Sequence, residues 1–203
     1  MDKLEFYIEK FSYIESIKDI DLGFVPPLLK RKLSPLNKAV FYTFNNCFSE
    51  KIENIIYASR FGEFDKLQKL IGQYTTENEV SPTLFSASVH NYTVGAFSVM
   101  NKISKPYSSL AACHNSLSMG LVNSIITLNK NLLFCFADYI NEEPNAIAML
   151  LSKQSDIGEK CVLTINDKQV NNSNELQILL NFINKKTNVA SFCNYKIERV
   201  HNE

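Results

Sequence analysis

Apolar positions along the chain follow two periods, and the switches between them outline its elements. Leu4–Ile14, LEFYIEKFSYI, mixes β-formers with charges and predicts a first strand. After a loop over Asp19–Pro27, the pair Ser34-Pro35 supplies an N-cap and a first-turn proline. The next helix carries a stripe of Leu36, Val40, Phe44 and Phe48, flanked by Phe41 and Cys47. Glu53–Ser59 is a near-continuous apolar run and reads as a buried strand. Phe64, Leu67, Leu70 and Ile71 then give another helix its face. Ser81-Pro82 repeats the cap-and-proline signal ahead of SPTLFSASVHNYTVGAFSVMN, a helical pattern interrupted by Gly95. An isolated glycine costs a helix about 1 kcal/mol against alanine, so Gly95 implies close approach of another element.

The stretch Tyr107–Leu128, YSSLAACHNSLSMGLVNSIITL, organises the rest. A short strand leads to Cys113, and a helix continues from it with Leu117, Leu121, Ile125 and Leu128 on one face. Ala111, Ala112, Ser116 and Gly120 are small where strand must turn sharply into helix. That is the build of a nucleophile elbow, in which the dipole and free N–H groups of a helix N-terminus favour a thiolate. Two readings of Cys113 stand side by side: a reactive thiol, or a small buried hydrophobe.

Asn131–Ala137 predicts a buried strand closed by Asp138, with a loop over Asn141–Asn145 before a second apolar strand at Ala146–Leu151. Cys161–Ile165 is a further short strand, and Asn166–Asn174 a polar turn region. Leu176, Leu179, Leu180 and Ile183 mark a last helix, and Ser191–Val200 a final strand. Strands alternating with helices near residues 53–137 predict an α/β fold: a mostly parallel mixed sheet with helices on both faces, closed by antiparallel additions. With no internal repeat and no low-complexity linker, residues 1–203 read as one domain.

Composition narrows the function. With 21 Lys+Arg against 21 Asp+Glu the formal net charge is +0, and no basic stripe invites nucleic acid. So little self-repulsion suits a chain that works inside a complex. Five cysteines without a close pair support neither a disulfide framework nor a metal site. The N-terminus does not read as a signal peptide and no run approaches a membrane span, so a reducing cytoplasm is expected.

Three stretches together, KRKLSPLNKA (30–39), IIYASRFGEFDKLQKLI (55–71) and SPTLFSASVHNYTVGAFSV (81–99), resemble the short beta-ketoacyl synthase-like chain-length factors of bacterial aryl polyene and related type II polyketide clusters. The resemblance runs from about Leu4 to Leu151, leaving 152–203 as a shortened C-terminal addition. It is carried most specifically by Ala-Ser-Arg-x-Gly-Glu at 58–63 and Ser-Val-His-Asn at 88–91. The Ala112-Cys113 elbow is shared with ketosynthases generally.

The resemblance implies one thiolase-like unit of the ketosynthase N-terminal type, with Cys113 at the nucleophile position. In ketosynthases two histidines of a second unit assist decarboxylative condensation. Here no histidine falls between His114 and His201. The resemblance therefore implies a non-catalytic subunit that pairs with a full-length ketosynthase and shapes its acyl tunnel during polyene, polyketide or fatty-acid-like elongation. Substrate chains would ride on the phosphopantetheine of acyl carrier protein, with no cofactor or metal in this chain. A homodimer through the same edge is the other assembly. By the same resemblance the strand before the elbow (Tyr107, Leu110, Ala111) lies at the dimer interface. Leu84, Phe85, Val89, His90, Phe97 and Met100 lie near it and the tunnel.

Arg60 and Glu63, flanking Gly62, either pair with each other or anchor the partner or carrier protein. His90 reads as a structural histidine or a site residue, and Asp138 as a turn-capping or site carboxylate. Short members of the family often carry glycine or an acidic residue around the elbow. The retained Cys113 therefore keeps an enzyme reading open, as an acyl-carrier-protein-dependent acyltransferase or malonyl decarboxylase.

Overall fold

The computed structural model describes residues 3–165, apart from 15, 17 and 19, and residues 174–200. Their core is one eight-stranded sheet in the order β3-β2-β4-β5-β1-β6-β8-β7. The strands are β1 (Lys3–Ile14), β2 (Asn54–Ala58), β3 (Tyr107–Leu110), β4 (Asn131–Ile140), β5 (Glu143–Ser152), β6 (Glu159–Ile165), β7 (Val189–Ser191) and β8 (Tyr195–Arg199). Among the described residues seven α-helices accompany them: α1 (Pro27–Lys30), α2 (Pro35–Cys47), α3 (Phe64–Glu77), α4 (Pro82–Ser86), α5 (Tyr92–Met100), α6 (Ser116–Ile126) and α7 (Glu175–Ile183). None of these is long and apolar enough to cross a membrane.

The pleat sends alternate residues of the central strands to opposite faces. Ile55, Tyr57, Leu133, Cys135, Ala148 and Leu150 meet α2 and α5 on one face. Ile56, Ala58, Phe134, Phe136, Ile147 and Met149 meet α6 and α7 on the other. Both faces are covered, which is why these strands read as unbroken apolar runs rather than alternating ones. Burial of Leu117, Leu121 and Ile125 from α6 stabilises its seat by about 1.5–3 kcal/mol per side chain. Gly120 lets α6 lie flat: a Cβ there would stand 2.5 Å from the Cβ of Ala58 and 3.0 Å from the Phe134 ring.

The expected proportions of the sheet need correction. Among the described strands only β2 pairs in parallel, with β3 on one side and β4 on the other. The remaining neighbours are antiparallel. At the centre of the sheet the cause is a two-residue hairpin: Asn141 and Glu142 take φ of 51° and 66°, the turn that best continues strand twist, and β4 folds straight back as β5. The loop expected over 141–145 is therefore mostly strand. Two other expectations shift. The helical stretch after Ser81-Pro82 is two helices, α4 and α5, and the last strand candidate splits into β7 and β8. The polar turn over 166–173 lies outside the described residues.

Ser34 caps α2 as expected, in a reciprocal arrangement with Asn37. Gly95 has the packing reason its position implied, since a Cβ there would sit 3.1 Å from the Tyr107 hydroxyl. β3, which carries the chain into the elbow, is an edge strand.

Candidate functional site at the strand–helix elbow

The elbow forms where β3 ends. Ala112 donates its N–H to Ser116 Oγ (2.9 Å), and that hydroxyl donates to the Cys113 carbonyl (2.8 Å). The clasp holds Cys113 at φ 50°, a left-handed conformation that costs a non-glycine residue roughly 1–3 kcal/mol. The thiol is exposed. Cys113–Asn115 is a single 3-10 turn, and the α-helix proper begins only at Ser116.

The helix N-terminus is already occupied. Glu175, at the start of α7, accepts from the Ser118 N–H (3.1 Å) and the Ser118 hydroxyl (2.5 Å). Tyr195 donates to the Ser118 carbonyl (2.7 Å), fastening the same turn. Burial pushes the Glu175 carboxyl above its ordinary range, and the two bonds from Ser118 oppose that rise. The favourable end of the helix dipole thus faces an internal carboxylate. Nothing in the sequence marked Glu175, because its partner lies 57 residues away.

Cys113 and His114 line a cleft of about 360 Å3 with Arg60, Phe61, Asp138 and Glu175. Asp138 is 6% exposed. It accepts from Ser59 Oγ (3.0 Å), the Arg60 N–H (2.7 Å) and the Phe61 N–H (3.2 Å), so it caps the turn after β2. Burial raises its carboxyl above the usual range, and these three donors restrain the rise.

Arg60 and Glu63 do not pair with each other. Arg60 lies across the Phe61 ring, 4.5 Å from its centroid, and its Nη1 is 3.1 Å from His114 Nδ1. Glu63 corrects the expectation of a partner-binding carboxylate. It is 4% exposed and turned inward, bonded to Asn37 and 2.6 Å from Lys66 Nζ. Lys66 also reaches Asn37 Oδ1 (3.1 Å), so the group ties α2 to α3.

His90 sits on the other side of the 59–62 turn, its Nε2 donating to the Ser59 carbonyl (2.9 Å). It lines an open hollow of about 480 Å3 with Asn91, Tyr107, Ser109 and Ala111. Phe97 corrects another expectation: it is fully buried beneath α2, with ring centroids 5.4 Å from Phe41 and 5.0 Å from Phe44, and lines neither surface nor cleft. Met100 and Tyr107 border an apolar groove of about 500 Å3 between α5 and α1, with Leu29, Ala96 and the exposed Val99. Phe85 (60%) and Val89 (43%) are exposed, and Leu84 and Leu110 half-buried. None of these residues lines the Cys113 cleft.

A sequence profile of the beta-ketoacyl synthase N-terminal domain matches residues 9–195. A search of curated proteins found no match. Among solved structures, the chain is similar to one from a complex of the ketosynthase ApeO with its chain length factor ApeC from Xenorhabdus doucetiae. The two are 19% identical with a TM-score of 0.68, and the match covers 98% of each chain. It is also similar to the AntDE:AntF type II polyketide synthase acyl-carrier protein–ketosynthase complex (12% identity, TM-score 0.62, 88% of this chain and 74% of that one). The ishigamide ketosynthase/chain length factor gives 10% identity and a TM-score of 0.59, over 75% of this chain and 55% of that one. At these identities the likeness is one of fold.

Proposed function

The chain belongs to the beta-ketoacyl synthase N-terminal-domain family, and on that premise we propose that it is a chain-length-factor subunit that pairs with a full-length ketosynthase. The observation that carries the proposal is the free outer edge of β3, the strand that runs directly into the Cys113 elbow. An exposed edge is a template for a strand from another chain. The apolar groove around Val99, Met100 and Tyr107 adjoins that edge and suits a protein contact. Its similarity over 98% of both lengths to a chain from a ketosynthase–chain length factor complex supports the same reading.

Condensation would fall to the partner. A guanidinium only donates, so His114 Nδ1 accepts from Arg60 and the ring carries its proton on Nε2. His90 is spent on the Ser59 carbonyl. His90 lies outside the Cys113 cleft and His114 Nδ1 is taken by Arg60, so neither described histidine is placed as a base for the thiol, and an acyl-transfer nucleophile needs one. Acyl chains would arrive on the phosphopantetheine of an acyl carrier protein in the cytoplasm, where five free cysteines are at home.

Tagging the full chain in its native host and identifying what co-purifies tests this reading. The expected result is a roughly one-to-one complex with a ketosynthase. A homodimer or monomer that ignores every ketosynthase present overturns it.

One observation favours a second reading, in which Cys113 carries acyl groups. The thiol is exposed, at φ 50°, inside a formed cleft. Mass spectrometry after incubation with acyl-loaded carrier protein decides it: an adduct lost in Cys113→Ser supports transfer, and no adduct ends it.

A further inference from the structure

Cys113 stands exposed beside a helix start that its own chain has already filled. α6 begins at Ser116, and the free N–H groups of a helix N-terminus favour a thiolate. Asn115, at the cap position, makes no side-chain bond to them. Glu175 of α7 does, accepting from the Ser118 N–H (3.1 Å) and hydroxyl (2.5 Å), and these two donors favour its charged form. A helix N-terminus carries the equivalent of about half a positive charge, so one carboxylate more than cancels it. Tyr195 of β8 fastens the same turn through the Ser118 carbonyl. The remaining groups do not reverse the balance. Arg60 from the turn after β2, Asp138 from β4 and Glu175 line one cleft with the thiol, a single guanidinium against two carboxylates. His114 accepts from Arg60 as a neutral imidazole. Tyr139 of β4 is kept neutral, because burial raises its hydroxyl above the usual range.

We propose that Glu175 is a built-in restraint on Cys113: its carboxylate, seated on the first turn of α6, withholds the helix-terminal field from the exposed thiol and keeps it idle. Glu175 touches no reacting atom and acts through the helix. A neutral cap at the same place would satisfy the same backbone donor and leave the field intact, so the charge is what matters. The restraint comes from α7, far along the chain, and it joins the elbow only because α7 packs beside α6 on one face of the sheet. The inference concerns the chemistry of the elbow and rests on neither reading of the partner.

The test is the rate at which iodoacetamide alkylates Cys113 in the full chain. The thiolate sulfur displaces iodide from carbon and the thiol proton passes to solvent. Mass spectrometry of the Cys113 peptide keeps the other cysteines out of the reading. Glu175→Gln removes the charge and keeps an acceptor for Ser118. At about pH 7.5 it should speed alkylation about fivefold. The gain should vanish by about pH 10, where an exposed thiol is ionised whatever its neighbours. Ser118→Ala deletes the hydroxyl bond but leaves the carboxylate on the backbone N–H, so its rate should match wild type. A looser α7 would instead speed both variants at every pH. Asn115→Asp adds a charge at the cap of the same turn without touching α7, and should slow alkylation about threefold at about pH 7.5. An unchanged rate in Glu175→Gln overturns the inference. So does an equal gain in Ser118→Ala, or a gain that persists at about pH 10. Should Glu175→Gln not fold, an unchanged rate in Asn115→Asp overturns it alone, because the field of that turn would then not reach the thiol.

Discussion

The imidazole of His90 closes over Gly62. A Cβ at Gly62 would meet His90 Cδ2 at 2.9 Å, while His90 Nε2 bonds the Ser59 carbonyl on the same turn. Two sequence strings some thirty residues apart, one holding Arg60 and Gly62 and the other His90, are therefore a single unit. It fixes the direction in which Arg60 leaves β2.

Gly62→Ala should cost about 2 kcal/mol of stability, because alanine meets both the left-handed φ of 56° and the ring. Urea unfolding measures it. In a His90→Ala background the same substitution should cost less, since the ring contact is gone and only the backbone strain remains. Equal costs in both backgrounds would mean that the contact carries no energy.

Glu175 makes stability depend on pH. Its carboxyl is raised by burial, so between the unfolded value near 4.5 and the higher folded value the native state holds more proton than the unfolded one. Its contribution is greatest below 4.5 and is lost as pH rises through the folded value. Glu175→Gln should flatten that part of the profile of unfolding free energy against pH. Asp138, raised for the same reason, leaves a residual slope of the same sign.

The free edge of β3 can be blocked without disturbing the fold. The carbonyls of Pro106 and Leu110 bond β2, so Tyr107 and Ser109, one residue out of step, face away from the sheet. Ser109→Pro removes an outward donor for which no acceptor appears among the described residues. Its thermal melt should stay within a few degrees of wild type, while capture of a ketosynthase falls at least tenfold. Unchanged capture would place the interface elsewhere.

Phe97 and Phe85 should part company. Phe97→Ala opens a cavity among Phe41, Phe44 and Phe48 and should cost about 3–5 kcal/mol. Phe85 is 60% exposed, and Phe85→Ala should change stability by less than about 1 kcal/mol. Any effect of Phe85→Ala on product length would then report on the assembled complex rather than on folding.

Local sequence determined the parts of this protein that local physics controls. Ser34-Pro35 and Ser81-Pro82 marked helix starts because a cap and a fixed φ act within one turn. The runs at 54–58 and 131–137 marked central strands because burial on both faces leaves no polar position to interrupt them. Ala112 and Ser116 marked the elbow because the Ser116 hydroxyl closes the turn within four residues.

Tertiary structure decided what depends on partners distant in sequence. Asn141 and Glu142 gave no glycine to signal a hairpin, and their left-handed pair is what sets β5 antiparallel to β4. Phe97 and Phe85 look alike in a helical pattern, yet the break between α4 and α5 sends one into the core and leaves the other in solvent. Arg60 and Glu63 are three residues apart, but the Gly62 turn points one toward His114 and the other toward Lys66. Glu175 reaches the start of α6 only because α7 packs on the same face of the sheet. The sequence sets which residues are available within a turn or a strand. Which charge is left without a partner is settled only when distant segments meet, because hydrogen bonds and ion pairs act over a few ångströms of space whatever the separation along the chain.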